Sequence, residues 1–171
     1  MHGSMPRRLA LALFAVGVLT HGVALAEGDV SVALNAYRVT MSQGKEAFVP
    51  AEQAKPGEII EYRATYKNTG KRAVKDLMAT LPVPQGLEYL PKSAQPAKLL
   101  ASVDGKNYEA VPLVRKVKGP DGKIVVREVP LSEYRYLRWP MGTLAASAES
   151  QVRARMRVNP LEPMAANSTH K

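Results

Sequence analysis

The chain has 171 residues, of which 24 are basic and 15 acidic, so its net charge is +9 at pH 7. This length suits one domain and a targeting segment. There is no Cys and there are three His, two of them near the N-terminus and one near the C-terminus. A transition-metal site, or catalysis by a Ser/His/Asp or Cys/His set, therefore lacks its usual residues, and no metal or other cofactor is expected.

The N-terminus predicts a signal peptide over residues 1–26. Arg7 and Arg8 form a basic segment, residues 9–19 are an apolar run, and small residues precede a predicted cleavage between Ala26 and Glu27. A retained anchor is the alternative, but the run is short for a membrane span, which needs about 20 residues. We therefore expect an exported protein, periplasmic or on the surface of a bacterium, with no stable membrane span after cleavage.

The first part of the mature chain alternates with the two-residue period of strands. Residues 30–34 and 37–41 alternate in different phases, which predicts a bulge or a switch of sheet near Asn35 and Ala36. Residues 43–58, which are rich in Pro and end in a Pro-Gly turn, are predicted to form a loop.

The next strand has the clearest alternation in this half of the chain. One of its faces is apolar and the other polar: Ile60, Tyr62, Ala64 and Tyr66 against Glu61, Arg63, Thr65 and Lys67. The Asn-Thr-Gly sequence at 68–70 predicts a turn. Residues 74–81 and 87–90 are predicted to form two further strands, each ended by proline.

Two hairpins are predicted next. Residues 99–103 and 107–111 flank one Asp-Gly pair, and residues 113–117 and 124–129 flank a Gly-Pro-Asp-Gly turn. An Asp-Gly pair between alternating runs is a strong short-range signal for a hairpin.

The last two predicted strands complete the fold. Residues 134–139 form one, which we expect to end at Pro140-Met141-Gly142, and residues 152–158 form the other. Short strands spaced about ten residues apart and no amphipathic helix predict an all-β fold, an antiparallel β-sandwich of about seven to nine strands. This domain would span residues 27–160, and residues 161–171 are predicted to be a flexible tail.

One combination of motifs has a known counterpart. Lys-Pro-Gly-Glu-Ile-Ile-Glu-Tyr at 55–62, followed by Tyr-Lys-Asn-Thr-Gly at 66–70, resembles the bacterial "conserved repeat" family, domain-of-unknown-function family eleven. The similarity covers about residues 53–158 and continues at Leu81-Pro82, Gly86-Leu87, Trp139, Gly142-Thr143-Leu144 and residues 152–158.

This resemblance implies an immunoglobulin-like fold and a role in adhesion, scaffolding or assembly at the cell envelope. It brings no catalytic residues with it. The chain departs from the family in having Ala79 where an acidic residue is usual, a single copy of the domain, and an extra basic hairpin at residues 113–129.

A row of arginines is the main candidate site. Arg153, Arg155 and Arg157 would lie on one face of the last strand, about 6.6 to 7 Å apart. They form either a face that binds an anion or a partner, or an ordinary solvated face balanced by acidic neighbours such as Glu61 or Glu133. The extra hairpin adds further positive charge: Arg115, Lys116, Lys118, Lys123 and Arg127.

Two other candidates have simpler structural explanations. Tyr134, Tyr136 and Trp139 alternate with Arg135 and Arg138, which is typical of a stacking platform for nucleic acid or sugar, or of a core strand. We expect the core strand, with Trp139 between the sheets, because the family resemblance implies it; nucleic acid also fits poorly with export. A glycan hydrolase would need two of the glutamates to meet in a cleft: Glu58, Glu61, Glu88, Glu109, Glu128 and Glu133.

Three hypotheses on function follow. The first is a non-enzymatic exported module that contacts an envelope or surface protein, for example by strand addition at an exposed edge. The second is a binder of lipid head groups or acidic polysaccharide on the arginine row. The third is the carboxylate-based glycan hydrolase.

Overall fold

The computed structural model describes residues 29–160, which form strands and one short 3-10 helix. The predicted signal peptide, its cleavage between Ala26 and Glu27, and the tail at 161–171 lie outside these residues. The strands are β1 Val30–Ser42, β2 Lys45–Pro50, β3 Ile59–Asn68, β4 Val74–Pro82, β5 Leu87–Tyr89, β6 Leu100–Ser102, β7 Glu109–Ala110, β8 Val114–Lys118, β9 Ile124–Glu128, β10 Tyr136–Leu144 and β11 Glu149–Val158; the 3-10 helix spans Leu131–Glu133. No helix among the described residues is long and apolar enough to cross a bilayer.

Two antiparallel sheets pack face to face. One has the order β2-β1-β3-β11-β5 and the other β4-β10-β6-β7, while β8 and β9 form a separate two-stranded sheet. The prediction of an all-β antiparallel sandwich is therefore confirmed. Nine strands lie in the two sheets, at the upper end of the predicted number, and the hairpin adds two more.

The core lies between the sheets, and the alternation seen in the sequence fills it. The predicted inner residues of β3 and β11 are all buried: Ile60, Tyr62, Ala64, Tyr66, Val152, Ala154, Met156 and Val158. Trp139 from β10 is 1% exposed, and its Nε1 donates a hydrogen bond to the Pro96 carbonyl at 2.7 Å. The aromatic strand is thus a core strand, as expected.

The predicted bulge or switch of sheet in β1 was wrong, because all of β1 stays in the five-stranded sheet. The strand runs without interruption, and its register with β3 is regular from Val30 to Arg38. The apolar phase changes because the second half of β1 is apolar on its outer face, where Tyr37 lies under the guanidinium of Arg63 and Val39 pairs with Phe48 of β2.

The predicted loop at residues 43–58 was also wrong in part, because it contains β2. This strand pairs with β1 through a two-residue connection in which Gln43 and Gly44 both have positive φ, 50° and 75°. Such a turn matches the twist of the two strands that it joins. Gln-Gly is a weaker turn signal than Asn-Gly, and the nearby prolines obscured the strand in the sequence.

The predicted end of the strand at Pro140 was wrong as well. Strand β10 begins at Tyr136 and continues to Leu144, with shifts of register against β4 at Pro140 and Gly142. Strand β6 pairs with β10 only as far as Arg138. Pro140 therefore lies where one side of β10 has no strand beside it, and its missing N–H breaks no ladder there.

Candidate interaction surfaces

The arginine row lies on the outer face of the five-stranded sheet, as its alternation predicts. Register pairs Arg153 with Arg63, Arg155 with Glu61, and Arg157 with Ile59 on β3. Residues that pair across an antiparallel ladder share a face, so the row is brought against the polar face of β3. The structure thus places Glu61, one of the two predicted balancing charges, in the middle of the row.

Glu61 is buried although it points away from the core, because basic side chains cover it. It is 2% exposed. Arg63 Nε donates to its Oε1 at 2.7 Å, Arg155 Nε donates to its Oε2 at 3.0 Å, and Arg153 Nη1 lies 3.6 Å from Oε1. One carboxylate is therefore shared by three guanidinium groups.

A second carboxylate comes from β2, in the segment that had been predicted to be a loop. Arg155 Nη1 and Nη2 donate to the two oxygens of Glu46, each at 2.7 Å. This two-pronged bond lowers the pKa of Glu46 and raises the pKa of Arg155. Parallel N–H···O bonds of this kind are among the stronger ion pairs in proteins. Sequence reasoning missed Glu46 because an edge strand half exposed on both faces shows little alternation.

Aromatic rings complete this cluster. The guanidinium carbon of Arg63 lies 4.7 Å from the ring centre of Tyr37 and 4.5 Å from that of Phe48, and that of Arg155 lies 5.9 Å from Phe48. These are distances at which a cation is attracted to a ring face. Two of the three arginines in the row, Arg153 and Arg155, are thus engaged within their own sheet.

Arg157, the third arginine of the row, is exposed and pairs in register with Glu88 of β5. Among residues 29–160 it has no hydrogen bond or salt bridge from its side chain. Glu133, the other predicted balancing charge, does not reach the row. It forms an ion pair with Arg115 of the extra hairpin.

The extra hairpin forms the second surface, which we call the arm and define as residues 113–129. Its root is fixed in the sandwich, where Leu113 and Val129 are buried and the Leu113 N–H donates to the Tyr134 hydroxyl at 2.7 Å. Beyond the root, β8 and β9 pair only with each other. The arm therefore projects from the sandwich.

The arm exposes aliphatic side chains together with its positive charges. Ile124 is 65% exposed, Val126 is 63% exposed and Val114 is 47% exposed. Register places all three on one face with Lys116 and Lys118. A clustered group of exposed aliphatic residues is a common mark of a contact surface, whereas single ones are ordinary. The sequence had drawn attention to the basic residues alone, although Ile-Val-Val at 124–126 was visible there.

Three of the six candidate glutamates, Glu58, Glu61 and Glu133, form ion pairs within the described residues, and the other three lie in strands β5, β7 and β9. Glu58 accepts from the Lys55 N–H at 2.8 Å and lies 3.5 Å from Arg38. Asp104 accepts from the backbone N–H groups of Lys106 and Asn107, bonds that hold its pKa far below the usual value. Within residues 29–160 no three His, Asp or Glu side chains are grouped as metal ligands would be.

Comparison with known proteins identifies no relative: no family profile, no curated protein and no solved structure matches the chain. The resemblance to the conserved repeat family stays a prediction, carried by the motifs at 55–62 and 66–70. The structure explains one of these motifs physically, since Asn68 is fully buried and its amide group joins the end of β3 to the connection between β10 and β11.

Proposed function

We propose that the protein is a non-enzymatic, exported β-sandwich module that contacts another protein of the bacterial envelope through its arm. The observation that carries this proposal is the exposure of Val114, Ile124 and Val126 on one face of a hairpin that projects from the sandwich. Burying such side chains against a partner gains about 25 cal/mol per Å² of apolar surface. Residues 1–26 support export, and the resemblance to an envelope family supports the location.

The arginine row supports the alternative, an anion binder, less well. Arg153 and Arg155 already hold Glu61 and Glu46 within the same sheet. An incoming phosphate or carboxylate would have to displace these built-in partners. A glycan hydrolase is supported less still, because Glu61 is covered by three arginines and Glu133 is paired with Arg115.

The test is a chemical cross-linking pull-down from the envelope fraction of the source bacterium, with the tagged full-length protein as bait. The variant Ile124→Thr/Val126→Thr keeps residues that favour strands but removes the aliphatic surface, and we expect it to lose the captured protein. Val49→Thr/Val103→Thr is the matched control, since these valines are 41% and 42% exposed on the sandwich itself. Equal capture by all three proteins would refute the proposal.

A second experiment tests whether the protein binds anions instead. Binding of the wild-type protein to anionic vesicles and to acidic polysaccharide is measured at low and physiological salt, together with Arg157→Ala. Binding that is strong at low salt, falls steeply with salt and depends on Arg157 would favour the alternative. Retention of that binding by Ile124→Thr/Val126→Thr would exclude the arm as its site.

A further inference from the structure

The backbone of the arm has two open edges. The Gly119 N–H donates to the Lys123 carbonyl at 2.7 Å, and the Val129 N–H donates to the Leu113 carbonyl at 2.8 Å. In an antiparallel pair the hydrogen-bonded pairs alternate, so every second residue turns its backbone groups outward. On β9 the outward groups belong to Ile124, Val126 and Glu128, which have no backbone partner among the described residues.

The other edge strands among residues 29–160 are short, are interrupted by a position that cannot pair, or carry lysine. On β2 the outward position Pro50 has no N–H, and on β4 both backbone groups of Thr80 bond to the hydroxyl of Tyr66. The edge strands β5 and β7 have only three and two residues. The outward positions of β8 include Lys116 and Lys118, and lysine is a residue that discourages strand pairing at an edge. Among these described edges, β9 is the one where the open backbone groups belong to two strongly exposed aliphatic residues, Ile124 and Val126.

The side chains along β9 specify what fits beside it. Ile124 and Val126 lie on one face with Glu128, and Arg127 lies on the other with Val125, with Lys123 just before the strand. A strand laid against β9 would place apolar residues beside Ile124 and Val126 and acidic residues beside Arg127 and Lys123. The arm contains five basic and two acidic residues, a net charge of +3, which favours an acidic partner over a second copy of this chain.

We infer that the arm binds its partner by strand addition: an extended segment of another protein, alternating acidic and apolar residues, pairs with the open edge of β9. This inference rests on the proposed function and names its partner class and geometry. A protein segment fits better than a lipid surface, because another strand pairs with both the open N–H and the open C=O groups, whereas the hydrocarbon of a bilayer pairs with neither. The arm also has none of the aromatic residues that favour membrane interfaces.

The test uses a fluorescent peptide of four Val-Glu pairs and the chain from Glu27 onward, which lacks the predicted signal peptide. Val126→Pro removes the outward N–H of β9 without removing a bond to β8, and we expect it to weaken binding at least tenfold. Lys116→Pro is the matched control, because Lys116 also points its N–H outward but on the β8 edge; its binding should stay within twofold of that of Lys116→Gln, which loses the same charge. Circular dichroism and urea unfolding check that both proline variants are folded.

Further probes separate the mode of binding from nonspecific attraction. Arg127→Glu should weaken binding of the Val-Glu peptide at least tenfold, and replacing Glu by Lys in the peptide should abolish binding. Amide NMR signals of Ile124, Val126 and Glu128 should shift and become protected from exchange. Undiminished binding to Val126→Pro, a loss confined to Lys116→Pro, or binding only to anionic vesicles would each overturn the inference.

The inference and the proposed function fail in different ways. If Ile124→Thr/Val126→Thr loses the envelope partner while Val126→Pro keeps it, the arm is a contact surface but strand addition is wrong. If neither variant affects capture, the proposed function itself fails. A concentration-dependent dimer that Val126→Pro abolishes would show that a second copy of the chain occupies the edge of β9. That result would also overturn the inference of an acidic partner.

Discussion

The hydroxyl of Tyr66 bonds to both backbone groups of Thr80: it donates to the carbonyl at 3.1 Å and accepts from the N–H at 2.9 Å. Tyr66 lies on the inner face of β3 and Thr80 in the edge strand β4 of the opposite sheet. A single side chain thus joins the two sheets and closes an open strand edge.

Tyr66→Phe should lower the free energy of unfolding by about 1–3 kcal/mol, because it leaves two backbone groups of Thr80 without partners. Tyr62→Phe is the matched control, since Tyr62 is also buried but its hydroxyl has no hydrogen bond among the described residues. We expect that control to stay within about 0.5 kcal/mol of wild type in urea unfolding at pH 7. Equal losses of stability in the two variants would show that the bonds to Thr80 do not stabilise the contact between the sheets.

Asn68→Asp should be among the most destabilising isosteric changes in the domain. The Asn68 amide nitrogen donates to the carbonyls of Arg72, Leu144 and Ala145 at 2.8, 3.0 and 3.0 Å. A carboxylate at this fully buried position would face three carbonyl oxygens, and we expect a loss of more than about 3 kcal/mol in urea unfolding. Asn35→Asp, at an exposed position of β1, should change stability little; a similar loss there would contradict this explanation.

Arg155→Ala should destabilise the protein by about 1–2 kcal/mol, because Arg155 holds Glu46 and Glu61 and so joins β11, β3 and β2. Partial solvent exposure limits the effect. Arg157 is exposed and lies two residues further along β11, so the stability of Arg157→Ala should stay within about 0.5 kcal/mol of wild type. Thermal unfolding at two salt concentrations tests both, and equal effects of the two variants would show that the network with Glu46 and Glu61 adds no stability.

Gly105→Ala should cost about 1 kcal/mol or more beyond Gly44→Ala. Both glycines have positive φ, 74° and 75°, so both variants carry the strain of that conformation. A Cβ at Gly105 would also lie 2.8 Å from the ring of Tyr136, whereas nothing lies within 4 Å at Gly44. The difference in urea midpoint between the two variants measures the contact with Tyr136, and no difference would mean that the ring moves freely aside.

Alkaline pH should unfold the protein partly through its buried tyrosines. Burial raises the pKa of Tyr62 to about 12 from its usual value of 10, so the folded state holds this proton more tightly than the unfolded state. The resulting stability is present below pH 10 and is lost as the pH rises towards 12. In urea unfolding over this range, Tyr62→Phe should show a flatter decline than wild type. Burial also raises the pKa values of Tyr66 and Tyr89, so some decline remains; identical slopes would contradict the role of Tyr62.

The strands with a buried face were predictable because burial on one side imposes the two-residue period. Thus β3 and β11 were identified with the correct inner residues, and Asp-Gly at 104–105 identified the first hairpin. Strand β2 was missed because an edge strand buries neither face fully. The end of β10 was misplaced because proline stops a strand only where its N–H would be needed, and that depends on the neighbouring strand.

The sequence by itself determined that the domain is all β, that Arg153, Arg155 and Arg157 share an outer face, and that the hairpin at 113–129 is basic. These properties follow from local alternation and turn residues, which act over a few positions of the chain. Only the tertiary structure decided what the charges meet. It brought Glu46 to Arg155 across 109 positions of sequence, and it left Ile124 and Val126 of β9 beside an open edge. Contacts of this kind depend on the order of strands in a sheet, which the local pattern does not encode.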